Sequence, residues 1–282
     1  MTKVVIGGCG YVGTRLAELL IDKGDEVLAI RRRPPAETSP IRWASADLAD
    51  PDSLSSLDLE CDFAVYCAAA DEPTEGSYTR AYVQGLNHFL ERLKECSPQI
   101  RRVVFTSSTG VYGQDDGSWV SEESPTKPVR FTGQKVLEGE KLLMESGLPG
   151  IVVRFGGIYG PGRDRLLRMI SEGRVQLTDT PSFTNRIHRE DCARSILHLL
   201  HIENPQFAYN GVDNDPSDRN EVYSWLAEQM GVHFEKEEDQ LGSGPSGKRV
   251  RNDRLVESGY RCVYPTFREG YAEFIKEWSE KK

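Results

Sequence analysis

The chain has 282 residues, 38% of them hydrophobic and 28% charged, with a formal net charge of −9. That length supports a sizeable core, as one domain plus a smaller lobe, and the composition excludes a disordered or fibrous chain. The acidic balance argues against nucleic acid or an anionic membrane as the main partner, because both require a basic face. No stretch approaches the roughly 18 apolar residues of a membrane span. The first residues show no basic segment followed by a long apolar run, so no signal peptide is expected. Six cysteines (Cys9, Cys61, Cys67, Cys96, Cys192, Cys262) are scattered with no C-x-x-C pair. Packed thiols in a reducing cytoplasm are expected, without a disulfide framework or metal site.

The N-terminus opens with an apolar run, Lys3-Val4-Val5-Ile6, that reads as a buried strand. Gly7, Gly8, Cys9, Gly10, Tyr11, Val12 and Gly13 follow at once. A helical pattern (Leu16, Leu19, Leu20, Ile21) runs to Gly24, and Glu26–Ile30 reads as a second strand. In this strand–helix–strand context Gly8, Gly10 and Gly13 fit G-x-G-x-x-G, and Gly7, Gly10 and Gly13 fit G-x-x-G-x-x-G. The first glycines allow a tight turn and close backbone approach to a pyrophosphate, and the last allows close helix–strand packing. The helix start near Tyr11 supplies N–H groups for the phosphates. Cys9 reads either as a redox handle or as a small residue where space is short.

Arg31, Arg32 and Arg33 follow the second strand, then Pro34-Pro35. An acid at this point selects NAD through the ribose 2′-hydroxyl, and an arginine accommodates the 2′-phosphate of NADP. With three arginines and no acid, NADP is predicted over NAD, with Arg31 and Arg32 as the clamp. Ile41–Ala44 reads as a short strand, followed by Asp47-Leu48, where Asp47 suits either an adenine amino group or a helix cap. Asp50 is the better cap for the next segment. A buried strand from Cys61 ends in the small residues Ala68 and Ala69, which suit a place under a cofactor. A long helix is expected from Thr74 to about Cys96 and a further strand over Ile100–Phe105. That strand runs into Thr106, Ser107, Ser108 and Thr109, hydroxyls at a strand's carboxyl end that face the ligand crevice in an open α/β sheet or serve as turn residues.

A helix from about Arg130 to Glu145 and a strand over Ile151–Phe155 complete an alternation that means a doubly wound parallel sheet. The dinucleotide domain is placed at residues 1–155 and a smaller mixed substrate lobe, interleaved with the sheet, at 156–282. In the second part Gly156–Arg163 reads as a loop. Helical patterns lie near Leu166–Glu172, Glu190–His201, Asn220–Met230 and Phe267–Ser279. Asp213–Asp218 and Glu235–Ser246 read as exposed loops.

On Gly7–Gly13, Ala46-Asp47-Leu48, Ser107–Gly113, Arg154–Arg163 and Asn185–Asp191, the chain resembles the extended short-chain dehydrogenase/reductases, the NAD-dependent epimerase/dehydratase group. Within it the chain is most similar to the atypical, YeeZ-like branch. The resemblance implies a Rossmann fold and a Tyr-x-x-x-Lys pair with an upstream hydroxyl. It places Ser108 at the hydroxyl and Lys135 at the lysine, which would also bond the nicotinamide ribose. The tyrosine position, four residues before Lys135, holds Phe131, and Tyr82 stands where an Asn is usual. Phenylalanine has no proton to give, and acid–base help is worth roughly 10²–10⁴ in rate. Tyr82, Tyr112, Tyr159 and His188 are other candidate proton carriers. Arg154, Tyr159, Arg163 and Arg186 are candidates for holding a small-molecule substrate, the arginines by paired hydrogen bonds to an anion. The resemblance further implies a homodimer through the helices from about Thr74 and Arg130. Two readings stand: an NADP-dependent enzyme on a small carbonyl or hydroxyl compound, and a non-catalytic NADP(H)-binding regulator or scaffold.

Overall fold

The computed structural model describes residues 1–36, 39–233 and 244–279. In chain order the elements are β1 (Lys3–Gly7), α1 (Tyr11–Asp22), β2 (Glu26–Arg31), β3 (Arg42–Ser45), α2 (Pro51–Ser55), β4 (Phe63–Tyr66), α3 (Glu75–Thr79), α4 (Gly85–Cys96), β5 (Arg102–Ser108), β6 (Trp119–Val120), α5 (Phe131–Glu145) and β7 (Gly150–Phe155). They continue as β8 (Gly157–Tyr159), α6 (Arg165–Ser171), β9 (Ser182–Thr184), β10 (Arg186–His188), α7 (Arg189–His201), β11 (Ala208–Gly211), β12 (Ser217–Asp218), α8 (Arg219–Gln229), β13 (Ser246–Gly247), β14 (Arg249–Val250), α9 (Asp253–Glu257) and α10 (Phe267–Ser279). The main sheet has seven strands in the order β11-β7-β5-β4-β1-β2-β3. The pairs β1–β2, β1–β4, β2–β3 and β4–β5 are parallel. This is the doubly wound Rossmann sheet that the alternating elements foretell. Its central strands are buried on both faces, and so read as continuous apolar runs.

Two compact units emerge. The first comprises 1–113, 125–154 and 192–209, the second 114–124, 155–191 and 210–282. The chain passes between the two units several times rather than at a single cut. Residues 192–209 return to the first unit because α7 leads into β11, the last strand of its sheet. The core of the first unit gathers Val5, Ile30, Leu54, Phe63, Tyr66, Phe89, Leu93 and Phe105. That of the second gathers Leu167, Ile170, Val222, Leu226, Phe267 and Phe274.

Two local expectations change. Residues 156–163 contain β8, which pairs in parallel with β10, a distant partner (Gly157 with Arg186) that local pattern cannot reveal. The stretch Asp213–Asp218 is not an exposed loop: Asp213 and Ser217 are both buried, because Asp213 N donates to Arg186 O and β12 pairs with β9. Within Glu235–Ser246, residues 235–243 lie outside the described residues. No described helix is long and apolar enough to cross a membrane. The six cysteines are free.

The long helix from α3 to α4 is interrupted by a π-turn over Arg80–Gln84. Tyr66 accounts for it. Its buried hydroxyl donates to Ala81 O at 2.5 Å, a group inserted into the helix's own hydrogen-bond ladder. Gly85 makes room, since a Cβ there would stand 2.6 Å from that hydroxyl. On the other side of the π-turn, α5 approaches so closely that a Cβ on Gly139 would lie 2.6 Å from Tyr82 O. Gly139→Ala is therefore expected to destabilise the protein by about 2 kcal/mol through overpacking. Gly76→Ala, on α3 with nothing within 4 Å of its Cβ, is expected to be neutral or slightly stabilising. Urea unfolding of the two variants reads the contrast.

Candidate functional site

The strand order reverses between β1 and β4, with β2 and β3 on one side and β5, β7 and β11 on the other. Ligands of such sheets bind in the crevice outside the carboxyl ends at this point. Here Gly8 N and Cys9 N both donate to Ile30 O, at 3.0 and 2.9 Å, and Gly10 N donates to Gly8 O at 2.7 Å. Gly8 has φ 75°, and a Cβ on it would stand 2.3 Å from Ala68 Cα. Conformation and space thus both demand glycine. A Cβ on Gly13 would stand 2.8 Å from Cys67 Sγ, so α1 rests directly on the strand ends.

Gly10 caps α1 without a side chain, and the first turn carries no acid. The N–H groups of Val12 and Gly13 have no partner among the described residues. A Cβ on Gly10 would meet only Gly8 O, at 3.8 Å, so the space before this helix end is open. An uncapped N-terminus with its positive dipole end facing open space fits a phosphate. Cys9 is fully buried, and burial pushes its thiol up to about 12. It is a packed thiol, not a redox handle.

Around this turn Arg31 lies over the Trp43 ring at 6.0 Å, and Arg32 Nη2 donates to Asp71 Oδ1 at 2.5 Å. Both members of the Arg32–Asp71 pair are more than half exposed, so the pair is weak and readily exchanged. Asp47 accepts from Ala49 N at 3.0 Å and from Arg80 Nη2 at 2.7 Å. Partial burial opposes its ionisation, yet these donors hold its carboxyl below the usual range. Asp50 caps α2 through Asp52 N, as its position suggests. Leu48 is buried, Ala68 faces Gly8, and Ala69 is exposed.

The carboxyl end of β5 carries the hydroxyls. Ser108 Oγ accepts from Gly110 N at 3.0 Å, capping a short 3₁₀ turn over Thr109–Val111. Its own O–H has no acceptor among the described residues. The start of α5 packs on that turn, where a Cβ on Gly133 would meet Gly110 O at 2.2 Å. Phe131 opens α5, and Lys135 follows one turn later with Nζ 3.1 Å from Glu138 Oε2 and 3.9 Å from Glu75 Oε1. Ser108 and the first turns of α5 thus come together in one unit.

Two of the residues expected at the site have side-chain partners in the core. Ser107 was assigned to the cofactor, but neighbouring strand residues face opposite ways. It is buried, and Oγ donates to Glu140 Oε1 at 2.6 Å. Arg154 was assigned to the substrate, but it grips Glu140 through Nε at 2.9 Å and Nη2 at 2.7 Å, while Nη1 donates to Tyr112 Oη at 2.9 Å. Its guanidinium is spent on the core. Glu140 was missed in the sequence. Its signal was available, since it sits in phase with Val136 and Leu143 on the buried stripe of α5.

In the second unit Tyr159 and Arg186 do meet. Tyr159 stacks on Tyr271 at 4.4 Å, and Arg186 hydrogen-bonds Tyr271. Tyr159 Oη, Arg186 Nη1 and Asp213 Oδ2 are buried without a partner among the described residues. Burial raises the Tyr159 phenol and the Asp213 carboxyl. His188 packs against Tyr159 and Tyr264, accepts from Glu190 N at 3.2 Å, and is lowered to about 4 by burial, so it is neutral at pH 7. Arg163 lies on an exposed turn with Nη1 donating to Ile158 O at 3.1 Å. No three described His, Cys, Asp or Glu side chains group to hold a metal.

Residues 3–206 match the model of the NAD dependent epimerase/dehydratase family. The chain is 28% identical to Protein YeeZ of Escherichia coli K12 over 278 residues, covering 94% of this chain and 97% of that protein. A solved structure from Methylobacillus flagellatus, assigned to the NAD-dependent epimerase/dehydratases, is similar with 33% identity and a TM-score of 0.85, over 99% of both chains. MoeE5, solved with UDP-glucuronic acid and NAD, is similar with 25% identity and a TM-score of 0.80, over 100% of this chain and 99% of its own.

Loss of Arg154 would leave the buried Glu140 carboxylate without its partner. Arg154→Met is expected to destabilise the protein by about 3–5 kcal/mol, and Arg154→Met/Glu140→Leu to recover most of that. Denaturant unfolding of wild type, both single variants and the pair measures it.

Proposed function

The chain belongs to the NAD dependent epimerase/dehydratase family, and we propose that it is an NADP-dependent oxidoreductase or epimerase-like enzyme acting on a small carbonyl or hydroxyl compound. The observation that carries this is the open, uncapped start of α1 behind a turn in which Gly8 has no room for a side chain. The backbone N–H groups of Val12 and Gly13 would hold the diphosphate, and Ala68 and Ala69 would line the same crevice. Asp47, held ionised by Arg80, would accept from the adenine amino group. Lys135 would bond the nicotinamide ribose and keep a positive charge near the reacting centre. The bound dinucleotide supplies or accepts hydride. Ser108, whose O–H is uncommitted, would donate a hydrogen bond to the substrate oxygen and fix its orientation. In the second unit, Tyr159, Arg163 and Arg186 stay as the candidates for substrate recognition.

The preference for NADP rests on Arg31, which ends β2, and Arg32 after it, where the sequence itself carries no acid. Arg32 can leave Asp71 at little cost, because that pair is solvent-exposed. MoeE5 is solved with NAD; this chain's own arginines favour the phosphorylated form. One residue supports a second reading. Phe131 removes the family's phenol, which suits a protein that binds NADP(H) without turning it over.

Calorimetry with NADPH and NADH tests the cofactor assignment. Wild type is expected to bind NADPH at least about tenfold more tightly, Arg31→Ala/Arg32→Ala to lose that margin, and Asp71→Asn to widen it. Equal affinities in wild type would remove the clamp. A carbonyl panel with NADPH then separates the two readings. Turnover that disappears in Ser108→Ala and Lys135→Met marks the enzyme, and tight binding with no turnover marks the regulator.

A further inference from the structure

Hydride transfer to a carbonyl needs a proton for the developing alkoxide, and Phe131 cannot give one. A phenol stands one ring away. The ring of Tyr78 meets that of Phe131 edge to face, with 5.6 Å between centroids. Tyr78 lies on α3, and a second contact joins the same two helices: Glu75 Oε1 is 3.9 Å from Lys135 Nζ. Glu75 and Tyr78 are three residues apart, and Phe131 and Lys135 are four apart. Each pair therefore occupies one face of its helix. The two faces set the Tyr78 ring against Phe131, the position where a Tyr-x-x-x-Lys pair on a single helix would carry its phenol, one turn from Lys135.

Four other phenols of the first unit are committed. Tyr66 donates to Ala81 O and is fully buried. Tyr112 accepts from Arg154 and is 2% exposed. Burial pushes Tyr82 up to about 12, and its hydroxyl is held by the backbone of Ala70. Tyr209 accepts from Gln206 N. The Tyr78 hydroxyl has no hydrogen-bond partner among the described residues, and the side chain is half-buried, so the group is neither spent nor sealed.

We propose that Tyr78 is the catalytic acid–base of this protein, delivered from α3 to the side of α5 that carries Lys135. The inference rests on the nicotinamide-dependent reading above. In the reductive direction, the carbonyl carbon receives hydride from the reduced cofactor, and the C=O π pair moves to oxygen. The Tyr78 O–H bond breaks to protonate that oxygen, and the phenolate regains a proton from solvent. The carbonyl is reduced to an alcohol and the cofactor is oxidised. In the other direction the phenolate takes the alcohol proton.

The test uses wild type, Tyr78→Phe, Phe131→Tyr and the double variant, with two readouts. Nitration by tetranitromethane, followed by peptide mapping, needs no substrate. Tyr78 should be nitrated in the free protein and at least about fivefold more slowly under saturating NADP⁺. In kinetics on the carbonyl panel, Tyr78→Phe should lose about 10²–10⁴ in kcat with NADPH affinity held within about threefold. Phe131→Tyr in the Tyr78→Phe background should restore at least about tenfold, an outcome that a packing role for Tyr78 would not give. Nitration that ignores NADP⁺, or a Tyr78→Phe protein turning over within about threefold of wild type, overturns the proposal and leaves the nicotinamide reading standing. If no variant turns over any carbonyl, the nitration result decides. Calorimetry detecting no dinucleotide binding overturns the underlying reading as well.

Discussion

The backbone contact between Gly8 and Ala68 governs the functional half of this molecule. The chain leaving β1 must pass so close to the chain leaving β4 that no side chain fits between them, and it turns there with a positive φ. That turn aims α1 so that the N–H groups of Val12 and Gly13 have no partner among the described residues. Because β1 and β4 flank the point where the strand order reverses, the same contact opens the crevice that those groups face. The turn and the open helix start are thus consequences of one close approach.

A second constraint holds α5 and β5 in register. Glu140 on α5, Ser107 on β5 and Arg154 on β7 share one buried network, with Tyr112 closing it. A buried ion pair adds little net stability over apolar packing, but it tolerates few geometries. Here it ties α5, which carries Phe131 and Lys135, to β5, which carries Ser108. The π-turn serves a similar end on the other side. It lets the α3–α4 helix bend its frame around Tyr66 while Tyr78 and Tyr82 stay in ring contact at 5.3 Å. Phe131, Tyr78, Tyr82 and Phe105 form a continuous aromatic chain.

The legible parts of the sequence were those whose partners are close in the chain or whose pattern repeats. The apolar runs of β1, β4 and β7, the glycine spacing after β1, and the helical stripe of α5 all announce themselves. What failed to show depends on distant partners. Arg154 sits within the run Ile151-Val152-Val153-Arg154-Phe155, and only the buried position of Glu140 reveals that it faces a carboxylate rather than a ligand. Ser107 and Ser108 look equivalent in sequence, and the strand's alternation sends one into the core and leaves the other at its end. The π-turn needs a hydroxyl from Tyr66, fifteen residues before Ala81. The meeting of Tyr78 with Phe131 joins two helices more than fifty residues apart.

The most direct measurement is calorimetric titration of NADPH into wild type and Gly10→Ala, with the melting temperature of each recorded. A methyl at position 10 would point into open space beside the uncapped helix, so it should leave the melting temperature within a few degrees while weakening NADPH at least about tenfold. Unchanged affinity in a folded Gly10→Ala protein, or no heat from wild type at millimolar NADPH or NADH, would contradict the account.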